Sequence, residues 1–395
     1  MRYNFDETVN RLQTASVKWD GVEKHFGDKE ILPLWVADMD FKAPDPVIEA
    51  MKKRAEHGVF GYTIRTEAYY QAIIDWFEKR HHWSIEKDWI LHCPGVVTAL
   101  SLLVQTYTEP GDKVLIQPPV YHPFSYVIER NDREVLNNPL KLEDGQYKMD
   151  FDDLRRKLDE HQVKLFILCN PHNPGGRVWS KEELKELGDI CLEYGVLIIS
   201  DEIHCDLVYA GHTHTPMMTL SEELTQHTIV CTAPSKTFNL AGLQAANIII
   251  PSSKLRSAFR KTLAAQFIEL TNTFGAVATE AAYKYGEEWL EQCLEYLQGN
   301  VDFLIHFIEE RLPQLNVMKP EGTYLVWIDC RALGLSFKEL EKFTRQQAKV
   351  AFNEGYIFGV EGEGFTRINV ACSRSILEEG LHRLEKAIQE LEMNR

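Results

Sequence analysis

What this 395-residue chain lacks bounds what it can be. No stretch approaches the roughly 18 apolar residues of a bilayer-crossing helix. The longest apolar runs, such as that around residues 245–250, are of strand length. There is no block of Lys or Arg, and the formal net charge is -16, so neither a nucleic-acid footprint nor an anionic membrane surface is expected as a partner. No G-x-G-x-x-G follows an early strand, which argues against a dinucleotide cleft. The eight cysteines include no C-x-x-C, and Cys169 and Cys231 sit inside apolar runs, so they read as buried thiols of a reducing compartment. The opening MRYNFDETVNRLQ has no apolar core like that of a secretory leader. A cytoplasmic location is therefore expected. Internal repeats and low-complexity tethers are also missing.

What is present is ordinary globular material, with 44% hydrophobic residues and length enough for one large domain and a smaller one. From Ile90 onward short apolar runs alternate with helix-length segments. Residues 113–117, 164–169, 196–200, 228–232 and 244–250 read as strands; 47–56, 67–81 and a charged segment from 181 read as helices. This pattern predicts an α/β fold, a mostly parallel central sheet with helices on both faces. After residue 290 the character changes. A long charged helix spans 287–311, with Gly299 and Asn300 as possible interruptions. Residues 324–329 and 366–370 alternate like half-exposed strands, and a last amphipathic helix covers about 375–390. These elements predict a smaller α+β domain over 290–395, joined to a large domain at 46–289 within a long helix. Residues 1–45 are expected to pack with the small domain.

Polar residues recur just past the predicted strand ends, at Tyr121, Asn173, Asp201 and Lys236, where open α/β sheets place ligands. Lys236 is central to Thr-Ala-Pro-Ser-Lys-Thr-Phe-Asn-Leu-Ala-Gly (232–242), a strand end opening into a polar loop. A lysine so placed can be partly desolvated and its pKa lowered, as Schiff-base chemistry requires. An aldehyde cofactor with a pyridine ring and a phosphate would make four further demands. Asp201 could keep the ring nitrogen protonated, Asn173 could face the ring oxygen, and Tyr121 could stack on the ring. The phosphate could take the Val96 and Val97 amides at a helix start, with hydroxyls from Ser235 and Thr232. Taken singly, Tyr121 and Tyr62 also read as packing aromatics, Asn173 as a turn, Asp201 as a cap and Arg367 as a solvated strand residue. His204, Cys205, His212 and His214 lie close enough to suggest zinc, but no metal is expected. His204 is expected to orient Asp201. Asp38 and Asp40, two residues apart in an apparently extended segment, would share a face.

Eight stretches in order carry a family resemblance: Leu-Trp-Val-Ala-Asp-Met-Asp-Phe (34–41), Phe-Gly-Tyr-Thr (60–63), Pro-Gly-Val-Val (94–97), Pro-Pro-Val-Tyr-His-Pro-Phe (118–124), Asn-Pro-His-Asn-Pro-Gly-Gly (170–176), Ser-Asp-Glu-Ile-His (200–204), Ser-Lys-Thr-Phe-Asn-Leu-Ala-Gly (235–242) and Arg-Ile-Asn-Val-Ala-Cys (367–372). With these the chain resembles the fold type I enzymes dependent on pyridoxal 5'-phosphate, within the class I/II aminotransferase superfamily. It is most similar to their branch of cystathionine β-lyases and cysteine-S-conjugate β-lyases, which includes maltose-regulon-modulator and cystalysin-like proteins. The resemblance implies that Lys236 carries the cofactor and moves the α-proton, that Tyr62 reaches the phosphate in a partner subunit, and that Arg367 binds the substrate α-carboxylate. It implies a homodimer with shared active sites, acting on small amino acids. The expected reaction is α,β-elimination of L-cystathionine or related cysteine S-conjugates to a thiol, pyruvate and ammonia. Amino transfer would use the same residues, and a regulatory interaction protein retaining the cofactor site is the alternative of another class. Gln244 stands where many aminotransferases carry a phosphate-binding arginine, in keeping with the lyase branch.

Overall fold

A computed structural model describes residues 3–268 and 270–393. Strands β1 (Ile90–Cys93), β2 (Lys113–Ile116), β3 (Glu134–Asn137), β4 (Val163–Cys169), β5 (Leu197–Asp201), β6 (Thr228–Thr232) and β7 (Ala246–Ile249) form one sheet in the order β1-β7-β6-β5-β4-β2-β3. Only β7 runs against its neighbours. The central strands are apolar throughout because both faces are covered. In β4, Leu165 and Ile167 face one core while Phe166 and Leu168 face another.

Helices α1 (Asp45–Glu56), α2 (Glu67–His81), α3 (Val96–Tyr107), α4 (Lys181–Tyr194) and α5 (Thr273–Tyr285) surround that sheet. Thr66 caps α2 by accepting from the Tyr69 amide, and Tyr69, Ile73, Trp76 and Phe77 form its buried stripe. A capping box between Ser180 and Glu183 starts α4, and Gly195 ends it at φ 67°. On the other face, α3 packs Ala99, Leu100 and Leu103 against Ile167, Ile199 and Ile229.

Helix α6 (Glu287–Arg311) is continuous, uninterrupted at Gly299 or Asn300. The Asn300 side chain is buried and donates to the carbonyls of Val370 (2.8 Å) and Cys372 (2.9 Å), so its polarity is used for anchoring. Beyond it, β8 (Asn316–Met318), β9 (Leu325–Asp329), β10 (Asn353–Glu354) and β11 (Phe365–Asn369) make an antiparallel sheet in the order β8-β9-β11-β10, followed by α7 (Arg374–Met393). The half-exposed character expected of β9 and β11 is not found. Leu325 to Ile328 and all of β11 are buried. Trp327 stacks on Phe365 with centroids 5.3 Å apart and donates to the Tyr147 hydroxyl at 3.2 Å, while Arg367 and Asn369 point into contacts made by other segments.

The N-terminal segment is laid along this second sheet. Leu32–Pro33 pairs in parallel with Val350–Ala351, and the Asn369 amide donates to the Leu34 carbonyl at 2.9 Å. Residues 34–41 form no strand ladder of their own. Two asparagines hold them instead. Asn369 Nδ2 donates to the carbonyls of Val36 and Asp38 (both 2.6 Å), and Asn239 Nδ2 to those of Met39 and Phe41 (both 2.9 Å), with Asn239 Oδ1 accepting from the Met39 amide. Asp38 and Asp40 do share a side, and both meet Arg11. Among the described residues no helix is long and apolar enough to cross a membrane.

Candidate active site

The carboxyl ends of β4, β5 and β6 open on one side of the sheet, and the segments that leave them carry the polar groups. Asp201 is the last residue of β5, Lys236 lies in the single helical turn Pro234–Thr237 after β6, and Asn173 follows β4. Tyr121 follows β2, and α3 begins at Val96 just beyond β1. Together these line a cavity of about 190 Å3, which shares Ala37, Tyr121 and Lys236 with a wider outer chamber of about 860 Å3.

Lys236 is half-buried and its Nζ donates to the Ala37 carbonyl at 2.5 Å. The Tyr324 hydroxyl donates to the same oxygen at 2.9 Å. Burial, aided by the Arg367 cation, lowers the lysine to a pKa of about 8 against the pull of Asp38 and Asp201. Asp201 is buried, and burial pushes it up to about 7 despite the Ile203 amide at 3.2 Å and the nearby lysine. No ion pair holds it among the described residues. Such a carboxylate suits a protonated ring nitrogen, which would supply the missing cation.

Arg367 is buried without a carboxylate partner among the described residues. Its Nη1 donates to Asn173 Oδ1 at 2.8 Å, and its Nη2 to the Trp35 carbonyl at 3.2 Å and to Asn353 Oδ1. The Phe358 ring lies 4.9 Å away, while Nε has no acceptor among the described residues. Burial lowers its pKa to about 10, so it stays cationic at neutral pH. A guanidinium in that condition is suited to an incoming carboxylate. Tyr121 sets its ring edge-on to Phe124 at 5.9 Å and is pushed up to about 12 by burial and by Asp201, which keeps the phenol neutral.

At the far end of the inner cavity, α3 starts without a side-chain cap, so the amides of its first turn are left for a ligand. Val96, Val97 and Ser235 line the cavity as expected. Thr232 does not. Its hydroxyl is buried at the end of β6 with no partner among the described residues, and Thr98 lines the cavity. His204 lines the cavity too, but its Nδ1 has no partner and it makes no hydrogen bond to Asp201; the Ile203 amide does that orienting. Burial with Lys236 and Arg367 holds this imidazole far below its usual pKa, hence neutral. Tyr62 is 95% exposed and outside its own chain's cavity. Gln244 lines the cavity and brings no charge. The lysine, carboxylate and open helix start thus fit an aldehyde-bearing pyridine phosphate, and the guanidinium that lacks a carboxylate fits an acid substrate on it.

The histidines and cysteine weighed as zinc ligands separate. His214 pairs with Glu202 at 2.9 Å, while Cys205 falls beside His81 and Asp206, with their ligand atoms within 4.8 Å. That group is already satisfied internally. Asp206 accepts from Trp76 Nε1 (3.0 Å), Thr237 Oγ1 (2.8 Å) and the His81 ring (2.8 Å), and burial drives the Cys205 thiol far up. Its effect is to fix Thr237, the neighbour of Lys236. Ala37, Tyr324, Asn239 and Asn369 were not anticipated as parts of the site. A main-chain acceptor leaves no signature in a sequence, although both asparagines lie within the stretches singled out there.

Comparison with known proteins agrees with this geometry. The chain is 47% identical to the cystathionine β-lyase PatB of Bacillus subtilis (strain 168) over 98% of its own length and 100% of that protein's. It resembles the crystal structure of cystalysin from Treponema denticola, which contains pyridoxal 5'-phosphate, at a TM-score of 0.96 and 41% identity, covering 99% of this chain and 100% of that one. A pyridoxal-phosphate-bound protein of Clostridium difficile 630, provisionally described as an aminotransferase, matches at a TM-score of 0.96 and 49% identity over 98% and 100% of the two chains. The profile of aminotransferase class I and II matches residues 29–384, and the chain belongs to that family.

Proposed function

We propose that this protein is a pyridoxal 5'-phosphate-dependent carbon–sulfur β-lyase, cleaving L-cystathionine or related cysteine S-conjugates to a thiol, pyruvate and ammonia. The observation that carries the reading is the buried Arg367 guanidinium, without a carboxylate among the described residues, lining the outer chamber with Lys236 and hydrogen-bonded to Asn173 of the inner cavity that Lys236 and Asp201 also line. Similarity to a cystathionine β-lyase and to cystalysin supports the choice of reaction.

When bound, the cofactor supplies an electron sink for the substrate α-carbon. The chain's own residues do the rest. Lys236 would hold the aldehyde end, and its Nζ, when free, would take the α-proton. Its pKa of about 8 leaves roughly a tenth of that amine unprotonated at pH 7, some hundreds of times more than an ordinary lysine would have. Asp201 would keep the ring nitrogen protonated, Asn173 would face the ring oxygen, Tyr121 would cover the ring face, and Val96, Val97 and Ser235 would hold the phosphate. Arg367 fixes the substrate carboxylate, and the outer chamber receives the part that departs on sulfur.

The exposed apolar side chains Val59 (64%), Phe60 (58%), Tyr62 and Ile64 (75%) support a homodimer in which Tyr62 reaches the partner's phosphate. Eight buried free cysteines support a cytoplasmic, reducing location. Pairing of residues 32–33 with 350–351 supports an N-terminal segment docked on a small domain at 290–395, with the large domain at 46–289. Incubation with L-cystathionine tests the function. Pyruvate and homocysteine should form, and Lys236→Ala should form neither. Amino transfer is the second reading, favoured by the family itself; it would instead leave the cofactor as pyridoxamine. A purely regulatory binding role would give no turnover of either kind.

A further inference from the structure

The charges that bear on Lys236 come from both sheets and from the segment between them. Asp201 acts from the end of β5, Arg367 from β11, and Asp38 from residues 34–41. Tyr121, Tyr324 and His204 complete the surround and are neutral near pH 7. Of the two carboxylates, Asp38 is the nearer in the chain to the lysine's own anchor, because Ala37 presents the carbonyl that Nζ meets. An unopposed carboxylate there would draw the lysine into an ammonium–carboxylate pair, the form least able to attack an aldehyde or remove a proton.

Asp38 is not unopposed. Arg11 grips it with a two-pronged pair, Nη1 to Oδ1 at 2.9 Å and Nη2 to Oδ2 at 2.8 Å. Nη1 also reaches Asp40 Oδ1 at 2.7 Å and the Met39 carbonyl at 3.2 Å. Buried Asp40 is held as well by Lys18 Nζ at 2.8 Å and Trp19 Nε1 at 2.9 Å. Lys18 lies 3.9 Å from Asp38 and is committed to Asp40, so it does not replace the arginine fork. Two cations thus cancel two carboxylates beside the outer chamber, which Arg11, Asp38 and Asp40 all line. Such a partly buried quartet is a poor way to gain stability, since well-packed apolar side chains often do as well. Its position suggests another use.

We propose that Arg11 is a positioning residue for Lys236: its fork occupies Asp38 and keeps that carboxylate from pairing with the lysine amine. The inference rests on the lyase reading only for what the amine then does.

The test follows the proton on Lys236 itself. Full-length protein without cofactor is labelled with limiting acetic anhydride across about pH 6 to 11, and acetylated Lys236 is quantified by mass spectrometry. The same variants loaded with pyridoxal 5'-phosphate are titrated by visible absorbance. Arg11→Gln should raise the labelling midpoint by about one pH unit, roughly a tenfold loss of free amine at a fixed pH below it. The absorbance midpoint should move the same way. Arg11→Gln with Asp38→Asn should show no such rise over Asp38→Asn alone. Arg11→Lys keeps the charge but not the fork; it should give a smaller rise and serves if the glutamine variant does not fold. An unchanged midpoint in a folded Arg11 variant, or a rise that persists without Asp38, overturns the proposal. Failure of the lyase reading would show separately, as no pyruvate from cystathionine with the labelling shifts intact.

Discussion

Arg367 Nη1 donates to Asn173 Oδ1 at 2.8 Å, joining the middle of the C-terminal sheet to the loop that leaves β4. The group proposed to take the substrate carboxylate and the amide proposed to face the cofactor ring are therefore one hydrogen-bonded unit. Arg367→Lys keeps a charge but loses the fork and the Asn173 contact. We expect kcat/KM for L-cystathionine to fall about 100-fold, mostly through KM, with the cofactor absorbance retained. Steady-state pyruvate release checks this.

Removing the Lys236 amine should be more severe. Lys236→Ala should abolish the visible band formed with pyridoxal 5'-phosphate and lower kcat by at least about 1000-fold. Absorbance and pyruvate assays on the same sample separate loss of cofactor from loss of chemistry.

Asp201 should make the cofactor-free chain pH-sensitive. Its folded pKa is raised from 3.8 to about 7, so the folded state binds the proton more tightly than the unfolded chain does. That stabilising term is fully present below about pH 3.8 and is lost as pH rises through about 7. Between those limits the Tm of the cofactor-free protein should decline with pH by an amount that Asp201→Asn abolishes. The same variant should lose most activity, because a neutral amide does not hold the ring nitrogen charged. Calorimetry across the pH range, beside the activity assay, measures both effects.

Asn369 and Asn239 each hold two carbonyls of the segment carrying Ala37, so either should be costly to remove. Asn369→Ala strands the carbonyls of Val36 and Asp38 and the Ala371 amide. A loss of about 2 to 4 kcal/mol in unfolding free energy is expected, visible in denaturant melts. Cofactor affinity should weaken in parallel, as the Ala37 carbonyl is no longer fixed against Lys236.

Sharing of sites across a dimer has a numerical signature. Mixed and refolded Lys236→Ala and Tyr62→Ala chains should regain about a quarter of wild-type activity. Half the dimers are hybrids, and each hybrid has one intact site of two. No recovery, at equal dimer content by sedimentation, would place Tyr62 outside the partner's site.

The fold was largely legible because its strands are short apolar runs and its helices carry strong periodic stripes. Helix 67–81, for example, falls where its buried Tyr69, Ile73, Trp76 and Phe77 place it. Alternation misled at β9 and β11. A polar residue in a strand looks the same whether it meets water or, like Arg367, a buried partner. In the site, Lys236, Asp201, Asn173 and Tyr121 were legible because each ends or follows a strand. Thr232 also ends a strand, but its hydroxyl is buried without a partner among the described residues and does not line the cavity. His204 is adjacent to the site, but the amide that meets Asp201 belongs to its neighbour. The Ala37 carbonyl and the Arg11–Asp38 pair arise from folding residues 3–41 back over the loop of Lys236, a long-range event invisible to local pattern.

All eight cysteines are buried and none is bridged. Thiol–disulfide exchange needs a reachable sulfur on each side, and burial drives up the pKa of several of these thiols, Cys191 and Cys372 among them. A catalyst that releases mercaptans at every turnover would bathe in its own reductant. With no bridge to reduce and no exposed thiol, this chain gives such products no disulfide to break or to form.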